Sequence, residues 1–239
     1  ELILCLERYL GDHHQKTGFE VDPTPIASGS IAQVHRARSL PDHPDRELVC
    51  KVKRLDIEKT VHSDLNLLKI LLKVLESSFE EVHFYSPLEI LRQLESSLIA
   101  ELDFTVEVRN LTRVRKHFTG RDLSPILPEP LESLSNRDLL VMTYVPGKPL
   151  VSIDSAQIEL SKSILLEQLL DVIYHMIFVD GFFHGDPHPG NIFCTEDGRL
   201  GLIDFGQMGQ LNPKQRDNIQ ISLMKNTPLV CPIEFFANI

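Results

Sequence analysis

The 239-residue sequence has no tryptophan, only four cysteines and no long uninterrupted hydrophobic run. The best candidate for a membrane span, 164–183, is broken by Asp171 and Asp180, whereas a span requires roughly 18 uninterrupted apolar residues. No transmembrane segment is therefore predicted.

The cysteines are widely spaced without a C-x-x-C pair, which is typical neither of a zinc site nor of a disulfide framework. We therefore expect a reducing compartment for the thiols of Cys5, Cys50, Cys194 and Cys231.

Basic residues are also in deficit, with 24 lysines and arginines against 34 aspartates and glutamates and a formal net charge of −10. This balance disfavours a protein that covers duplex nucleic acid with a continuous positive surface, although a local basic patch could still occur, and no nucleic-acid partner is expected. The hydrophobic content of 42% is sufficient for a packed core, and the length suits two tightly packed lobes. The chain opens in a helical pattern without an initiating methionine, which is typical of a fragment of a longer protein.

Two strands are predicted near the start of the chain. The turn formers of 21–25 lead into ASGS, 27–30, where a glycine-containing turn is predicted before a strand that includes Ile31, Val34 and Ala37. The segment ELVCKVKR, 47–54, alternates along its length and predicts a strand in which Lys51 and Lys53 lie on the same side.

Helical periodicity dominates much of the remaining chain. Apolar residues recur at helical spacing over 58–76, and one long helix is predicted over about 87–118. The strand that follows is predicted to stop at Pro146–Gly147. Beyond Gly181, two short strands flank a turn, and FGQMGQL, 205–211, is predicted as a loop before a final helix.

The strongest motif is HGDPHPGN, 184–191, followed by Asp204-Phe205-Gly206 at the end of a predicted strand. Asp186 precedes Asn191 by five positions, which is the spacing between the catalytic Asp and the metal-binding Asn of protein kinases. Asp186 could orient or deprotonate an attacking hydroxyl, Asn191 could hold a metal through its amide oxygen, and Asp204 could hold the same Mg²⁺ against phosphates. These oxygen donors suit a hard cation.

The same loop contains an H-x-D-x-H pattern, which could instead indicate a transition-metal site formed by His184, Asp186 and His188. Two prolines stiffen the loop. We expect the histidines to hold its shape through hydrogen bonds.

Lys51 is the candidate cation for the phosphates of a nucleotide, and such a lysine requires a carboxylate partner. Glu107 is the candidate partner. On the predicted helix, Asp103, Glu107 and Asn110 share one polar face, so the helix can pack and still direct a carboxylate inward.

Together these segments resemble the UbiB/ADCK (AarF-domain) family of atypical kinases. The resemblance covers about 20–211 and is carried by PIASGSIAQVHRA, VCKVK, ELDFTVEVRN, VMTYVPGKPL, FFHGDPHPGNIF and LIDFGQMG. It implies an α+β, protein-kinase-like fold with a small β-containing N-lobe with inserted helices, 1–143, and a larger, mostly helical C-lobe, 144–239. It also implies binding of ATP with Mg²⁺, ATPase activity, and a link to ubiquinone and other isoprenoid-lipid metabolism in mitochondria, plastids and bacteria.

The resemblance assigns a role to each matching residue. Lys51 and Glu107 correspond to the nucleotide-binding lysine and its partner, and with Asp186 they form the expected catalytic set. Asn191 and Asp204 correspond to the metal ligands. The remaining cofactor-binding residues are expected in the family's E-x-D pair, in the nucleotide loop and at the end of the following strand, namely Glu101, Asp103, Ala27, Ser28, Gly29, Ser30, Thr143 and Val145.

Two features depart from the family. Its N-terminal K-x-G-Q segment is not in this sequence, and its alanine-rich nucleotide loop has Gly29 here. A glycine permits positive φ and close approach to a phosphate, so we expect Gly29 to favour ATP over ADP. The alternative to this role in nucleotide preference is that Gly29 is required only for the turn between Pro25 and the strand that contains Ile31.

Partners other than the nucleotide are less specific. The helix before residue 122 carries a basic run that could meet anionic lipid or a partner protein, although a solvated face is expected for Arg109, Arg113, Arg115, Lys116 and Arg121. The helix over 59–76 could bind a membrane peripherally, and leucines that face the protein explain its pattern equally well. Lipids, quinone-biosynthesis proteins and a membrane surface are therefore candidate partners.

Three functional classes follow. The first is an atypical kinase or ATPase, most simply mitochondrial, with a plastid or a bacterial membrane-associated location as alternatives. The second is a small-molecule phosphotransferase similar to choline or aminoglycoside kinases, which share the H-G-D-x-x-x-x-N loop. The third is a non-catalytic, nucleotide-gated scaffold.

Overall fold

The computed structural model describes residues 5, 6, 9, 19–39, 47–79, 86–121, 124–152 and 162–226. The chain divides into two compact units. The first comprises Glu1–Val108 with Pro130–Tyr144, and the second comprises Arg109–Glu129 with Val145–Ile239. The second unit thus includes 109–129, a segment that the sequence analysis assigns to the first lobe. The strands and helices described below confirm the predicted α+β class.

The first unit is built on an antiparallel sheet in the order β1-β2-β3-β4. Its strands are β1 (Phe19–Ser28), β2 (Ala32–Ser39), β3 (Glu47–Lys53) and β4 (Leu139–Thr143). Lys51 lies on the inner strand β3, opposite Val34 of β2 and Leu140 of β4. The predicted lysine strand is therefore in the middle of the sheet.

The predicted glycine-containing turn before the strand is present, because the Gly29 N–H donates to the Ala32 carbonyl at 2.9 Å between β1 and β2. The turn formers of 21–25 themselves belong to β1. β1 is an edge strand, where a proline does not interrupt a ladder on both sides. Pro23 and Pro25 are accommodated there, and the register with β2 shifts between Val21 and Pro25 and again before Ala27.

One side of β3 forms the core of the first unit. Leu48, Cys50 and Val52 pack with residues of β2, β4 and the segment near the start of the chain, namely Ala37, Leu139, Val141, Cys5 and Leu6. Burial raises the pKa of the Cys50 thiol to about 12, so this sulfur stays protonated at neutral pH. Cys231 lies outside the described residues.

Three helices connect β3 to the rest of the chain: α1 (Ile57–Ser78), α2 (Pro87–Glu101) and α3 (Phe104–Phe118). The prediction of one helix over 87–118 is wrong, because the helix is interrupted at Leu102 and Asp103. The carboxylate of Asp103 accepts hydrogen bonds from the Thr105 backbone N–H (3.0 Å) and hydroxyl (2.7 Å). A side chain used in this way caps a new helix and holds its own residue outside helical geometry.

The first of these helices has apolar residues on more than one side. It buries Leu65, whereas Leu67, Ile70, Leu71 and Val74 are exposed. Within the described ranges, no helix is both long and apolar enough to cross a bilayer.

Among the described residues of the second unit, which also includes most of α3, there are two small antiparallel sheets and two further helices. One sheet has the order β5 (Lys148–Pro149), β7 (Ile192–Cys194), β8 (Leu200–Leu202), and the other pairs β6 (Phe182–His184) with β9 (Met208–Gln210). The helices are α4 (Lys162–Tyr174), which continues into a π-helix over His175–Asp180, and α5 (Pro213–Asn226). Two short 3-10 segments occupy Glu132–Leu134 in the first unit and Leu150–Ser152 in the second.

Two short strands of the second unit bear on the sequence predictions. The segment 205–211 is not entirely a loop, because β9 pairs with β6 across Phe183 and Gly209. The predicted stop at Pro146–Gly147 lies where the chain enters β5. Gly147 has a φ of 112°, and a Cβ there would collide with the backbone of Cys194, so only glycine fits this position.

Replacing Asp103 tests the helix break. Asp103→Ala should lower the free energy of unfolding by about 1 kcal/mol, because the first turn of α3 loses its cap. Asp103→Asn keeps an acceptor oxygen and should lose less. Urea unfolding monitored by circular dichroism measures both. Equal stability of Asp103→Ala and the wild type would show that the cap does not set the start of α3.

Candidate active site

In the first unit, β3 and α3 bring Lys51 and Glu107 together. The Lys51 Nζ donates a hydrogen bond of 2.9 Å to the Glu107 Oε2. The side chain of Glu107 is only 4% exposed and that of Lys51 17%. A carboxylate buried to this degree is stable only with a close cation or hydrogen-bond donors. Glu107 lies in the first turn of α3, so the start of this helix sets its position.

The neighbouring lysine on the same side of β3, Lys53, is more deeply buried than Lys51. Its side chain is 2% exposed, and its ammonium contacts Asp138 at 2.5 Å and Glu58 at 3.1 Å. Both ammonium groups lie over the ring of Phe104, at 5.5 Å for Lys51 and 5.8 Å for Lys53. The alternation of β3 placed the two lysines on one side, but the sequence analysis assigned no role to Lys53.

The predicted nucleotide loop, 27–30, is held in place by Arg54. The Arg54 guanidinium donates from Nε to the Gly29 carbonyl (3.0 Å) and from Nη2 to the Ser28 hydroxyl (2.7 Å). The Gly29 N–H donates to the Ala32 carbonyl at 2.9 Å. The sequence analysis did not identify Arg54, which directly follows the lysine strand.

The expectation that Gly29 adopts positive φ is wrong. Its backbone lies outside the left-handed region. A Cβ added at this position would meet only the Ala32 carbonyl oxygen, at 3.7 Å, which is an ordinary contact. Because Gly29 also directs its N–H to Ala32, it offers no special approach to a phosphate, and the argument for an ATP preference based on it no longer holds.

The remaining predicted cofactor residues have diverse surroundings. Glu101 ends α2, and Asp103 caps α3. Thr143 is the last residue of β4. Val145 is buried in the second unit, where its side chain packs against Gly201. Their contribution to nucleotide binding stays a prediction.

The second unit positions the HGDPHPGN loop between β6 and β7. The Asp186 N–H donates to His184 Nδ1 (3.1 Å), and His184 Nε2 lies 3.2 Å from the Ile203 carbonyl oxygen, to which it can donate. The Gly190 N–H donates to His188 Nδ1 at 3.0 Å. The histidines therefore hold the loop through its backbone, as the sequence predicts.

This arrangement disfavours a transition-metal site in the loop. Both ring nitrogens of His184 face backbone partners, so the imidazole has no lone pair directed at a metal. Across the part of the chain that the structure describes, no group of three or more histidines, cysteines, aspartates or glutamates is placed to hold a metal.

Asn191 and Asp204 lie at the ends of paired strands. β7 begins directly after Asn191, β8 ends directly before Ile203, and the Ile203 N–H donates to the Asn191 carbonyl at 3.0 Å. The Asn191 amide nitrogen lies 3.2 Å from the Asp186 carbonyl oxygen and 3.4 Å from its carboxylate. The amide nitrogen is thereby engaged, and the amide oxygen is left to act as a ligand.

Asn191 and Asp204 offer oxygen donors that fit a hard cation. An amide oxygen from Asn191 and a carboxylate from Asp204 are ligands that Mg²⁺ accepts. Asp204 has a φ of 60°, a left-handed conformation that is uncommon for a residue with a Cβ. A strained residue at the predicted metal ligand is consistent with a functional position.

The solvated face predicted for the basic run is confirmed for Arg109 and Lys116, which are exposed, but not for the other three residues. Arg113 stacks on Phe182 at 4.0 Å, and Arg121 pairs with Asp180 at 3.4 Å. Arg115 donates to the Leu127 carbonyl at 2.8 Å. These arginines are half-buried and serve contacts within the second unit.

Comparisons with known proteins identify the family and confirm the predicted kinase-like fold. A family model described as the ABC1 atypical kinase-like domain matches residues 2–227. The chain is 33% identical over 218 residues to a probable protein kinase UbiB of Glaesserella parasuis, covering 88% of this chain and 40% of that protein. It is 32% identical over 217 residues to an uncharacterised chloroplastic aarF domain-containing protein kinase of Arabidopsis thaliana, covering 90% of this chain and 40% of that protein. The chain thus spans about two fifths of the length of these relatives.

A solved structure shares the fold. The complex of Rv3197 with erythromycin from Mycobacterium tuberculosis superposes with a TM-score of 0.70 at 23% identity, covering 97% of this chain and 58% of that one. At this level of identity the likeness concerns the fold alone.

The buried lysine network should make stability depend on pH. The hydrogen bond from Lys53 lowers the pKa of the Glu58 carboxyl. A carboxyl with a lowered pKa stabilises the fold above its unfolded-state pKa, and the stabilisation is lost as the pH falls through the lowered value. Glu58→Gln should therefore be less stable than the wild type at pH 7, and the difference should shrink below about pH 4.

Urea midpoints at pH 7 and below pH 4 measure this effect. Glu20→Gln, at an exposed position of β1, is the matched control and should show no such convergence. A difference for Glu58→Gln that stays constant with pH would show that the Lys53 contact does not stabilise the ionised carboxyl.

Proposed function

This chain belongs to the ABC1 atypical kinase-like family, and from that membership we propose that it binds ATP with Mg²⁺ and transfers or hydrolyses the terminal phosphoryl group. The buried ion pair of Lys51 and Glu107 is the observation that carries the proposal. A cation held on an inner strand by a helical carboxylate is the device with which protein kinases bind nucleotide phosphates.

Lys51 acts as a fixed positive charge. A lysine side chain has many rotamers, and ordering it for each binding event would cost conformational entropy. The 2.9 Å bond to Glu107 orders it in advance. Phe104 below the ammonium restricts it further, so the charge is pre-organised for the α- and β-phosphates.

The loop of the second unit supplies the remaining groups. Asp186 is proposed to orient the attacking hydroxyl or water and to accept its proton, while Asn191 and Asp204 hold the metal through oxygen atoms. Mg²⁺, when bound, neutralises charge on the β- and γ-phosphates. His184 orders the Asp186 backbone through the 3.1 Å bond to its N–H, which positions the carboxylate without using another acidic residue.

We propose that this activity supports ubiquinone or isoprenoid-lipid metabolism. The proposal rests on the sequence resemblance and on bacterial relatives named as probable protein kinase UbiB, from Glaesserella parasuis and from Vibrio atlanticus at 31% identity. Such relatives come from bacteria and from a plant chloroplast. These sources support a bacterial or plastid location, whereas the mitochondrial location rests on the sequence resemblance alone.

Asp204→Asn should remove the stabilisation of the protein by MgATP, because a neutral amide is a weaker ligand for a hard cation. Thermal unfolding with ATP and Mg²⁺, and with ATP and EDTA, measures the metal-dependent part. Asp217→Asn, on the exposed side of α5, is the matched control. If Asp204→Asn retains the full MgATP shift, the assignment of Asp204 as a metal ligand is wrong.

Lys51→Ala and Glu107→Gln should each weaken ATP binding, and the double variant should lose no more than Lys51→Ala alone, because members of one ion pair are coupled. ATP dissociation constants and ATP hydrolysis for the four proteins form a double-mutant cycle. Losses that add in full would mean that Glu107 does not act through Lys51. Binding without any hydrolysis by the wild type would instead favour the scaffold class.

A further inference from the structure

We propose that Asn110 is a positioning residue that holds Asp204 in its left-handed backbone conformation through a hydrogen bond to the Phe205 carbonyl. The inference rests on the proposed function, in which Asp204 is a metal ligand. It concerns residues of the second unit only, since Asn110 belongs to the part of α3 that groups with that unit.

The conformation of Asp204 needs support from its surroundings. Its φ of 60° brings a Cβ-bearing residue into a region that glycine occupies readily and other residues avoid. Such a residue keeps this geometry only when neighbouring contacts fix the backbone. The Gly206 N–H lies 3.4 Å from the Asp204 carboxylate, which is too long for that contact to fix the backbone alone.

The backbone is held on both sides of Asp204. Before it, the Ile203 carbonyl lies 3.2 Å from His184 Nε2, and the Ile203 N–H donates to the Asn191 carbonyl at 3.0 Å. After it, the Phe205 carbonyl accepts a hydrogen bond of 2.8 Å from the Asn110 amide. The Phe205 ring is fully buried. Side chains therefore hold the peptide group directly before Asp204, through the Ile203 carbonyl, and the next but one after it, through the Phe205 carbonyl.

Asn110 is suited to this task by its place on α3. Leu111 and Val114, close to Asn110 on the same helix, are buried, so the amide projects from a packed element. Asparagine is a poor choice for the interior of a helix unless its side chain has a partner. The bond to Phe205, which spans 95 positions of the chain, provides that partner.

A positioning role and a purely structural role make different predictions about magnesium. If Asn110 only stabilises the fold, its loss lowers the unfolding temperature and leaves the affinity for Mg²⁺ unchanged. If it positions Asp204, its loss raises the Mg²⁺ concentration needed to load the nucleotide complex, while binding of metal-free ATP is hardly affected. Partners that orient metal ligands from behind contribute about 10- to 100-fold to metal affinity.

The experiment compares the wild type, Asn110→Ala and Lys116→Gln, the last being an exposed position on the same helix. Thermal unfolding is followed at saturating ATP over a Mg²⁺ titration, and ATP binding in EDTA is measured by calorimetry. For Asn110→Ala we expect the Mg²⁺ midpoint to rise at least about tenfold, with ATP binding in EDTA changed by less than about twofold. Lys116→Gln should match the wild type.

Each outcome decides one question. A normal wild-type response together with an unchanged Mg²⁺ midpoint in Asn110→Ala overturns the inference and leaves the proposed function standing. A wild type that shows no Mg²⁺-dependent stabilisation by ATP overturns the proposed function, and the inference with it. Should Asn110→Ala fail to fold, Asn110→Leu, which keeps a similar volume but has no amide donor, takes its place. The same rise in the Mg²⁺ midpoint is expected, and an unchanged midpoint overturns the inference.

Discussion

Two lysines on one side of an inner strand impose the main constraint on the first unit. Each ammonium must be matched by carboxylates, since desolvating a charge without a partner costs several kcal/mol. Lys53 obtains Asp138 and Glu58, and Lys51 obtains Glu107. The shared Phe104 ring lies beneath both. The position at which α3 begins therefore matters for the charge of Lys51. The Asp103 cap starts α3 where Glu107, in its first turn, reaches the Lys51 ammonium.

In the second unit the constraint is geometric. The carboxylate that is proposed to hold a metal projects from a backbone in an unfavourable conformation, and side chains from a loop and a helix counteract the strain. His184 has two tasks there, because it orders the Asp186 backbone with one nitrogen and the Ile203 carbonyl with the other. The same imidazole thus contacts the backbone of Asp186 and the backbone directly before Asp204, the two acidic residues of this unit on which the proposed chemistry depends.

The sequence was informative where a local pattern had a single physical cause. The alternation of β3 predicted the strand and the side on which its lysines lie, and the spacing of Asp186 and Asn191 predicted one loop. The helix break at Asp103 was missed, because apolar periodicity continues on both sides and an aspartate within a helical pattern does not show whether it caps. The burial of Lys53 depends on Asp138, 85 positions away, and no local pattern contains that partner. β9 is only three residues long, too short for its periodicity to be read.

The edge strand β1 affects whether two copies of this chain can associate through the edges of their sheets. Exposed sheet edges are templates on which other chains can add a strand, a route to aggregation. Pro23 and Pro25 lack the N–H groups that such pairing requires, and the irregular register bends the strand away from a flat edge. At the opposite edge, the Leu131 N–H donates to the Val141 carbonyl, and Pro130 bridges to Met142. These features hinder the addition of a further strand at parts of both edges, and the lysine-bearing strand β3 is itself an inner strand that is paired on both sides.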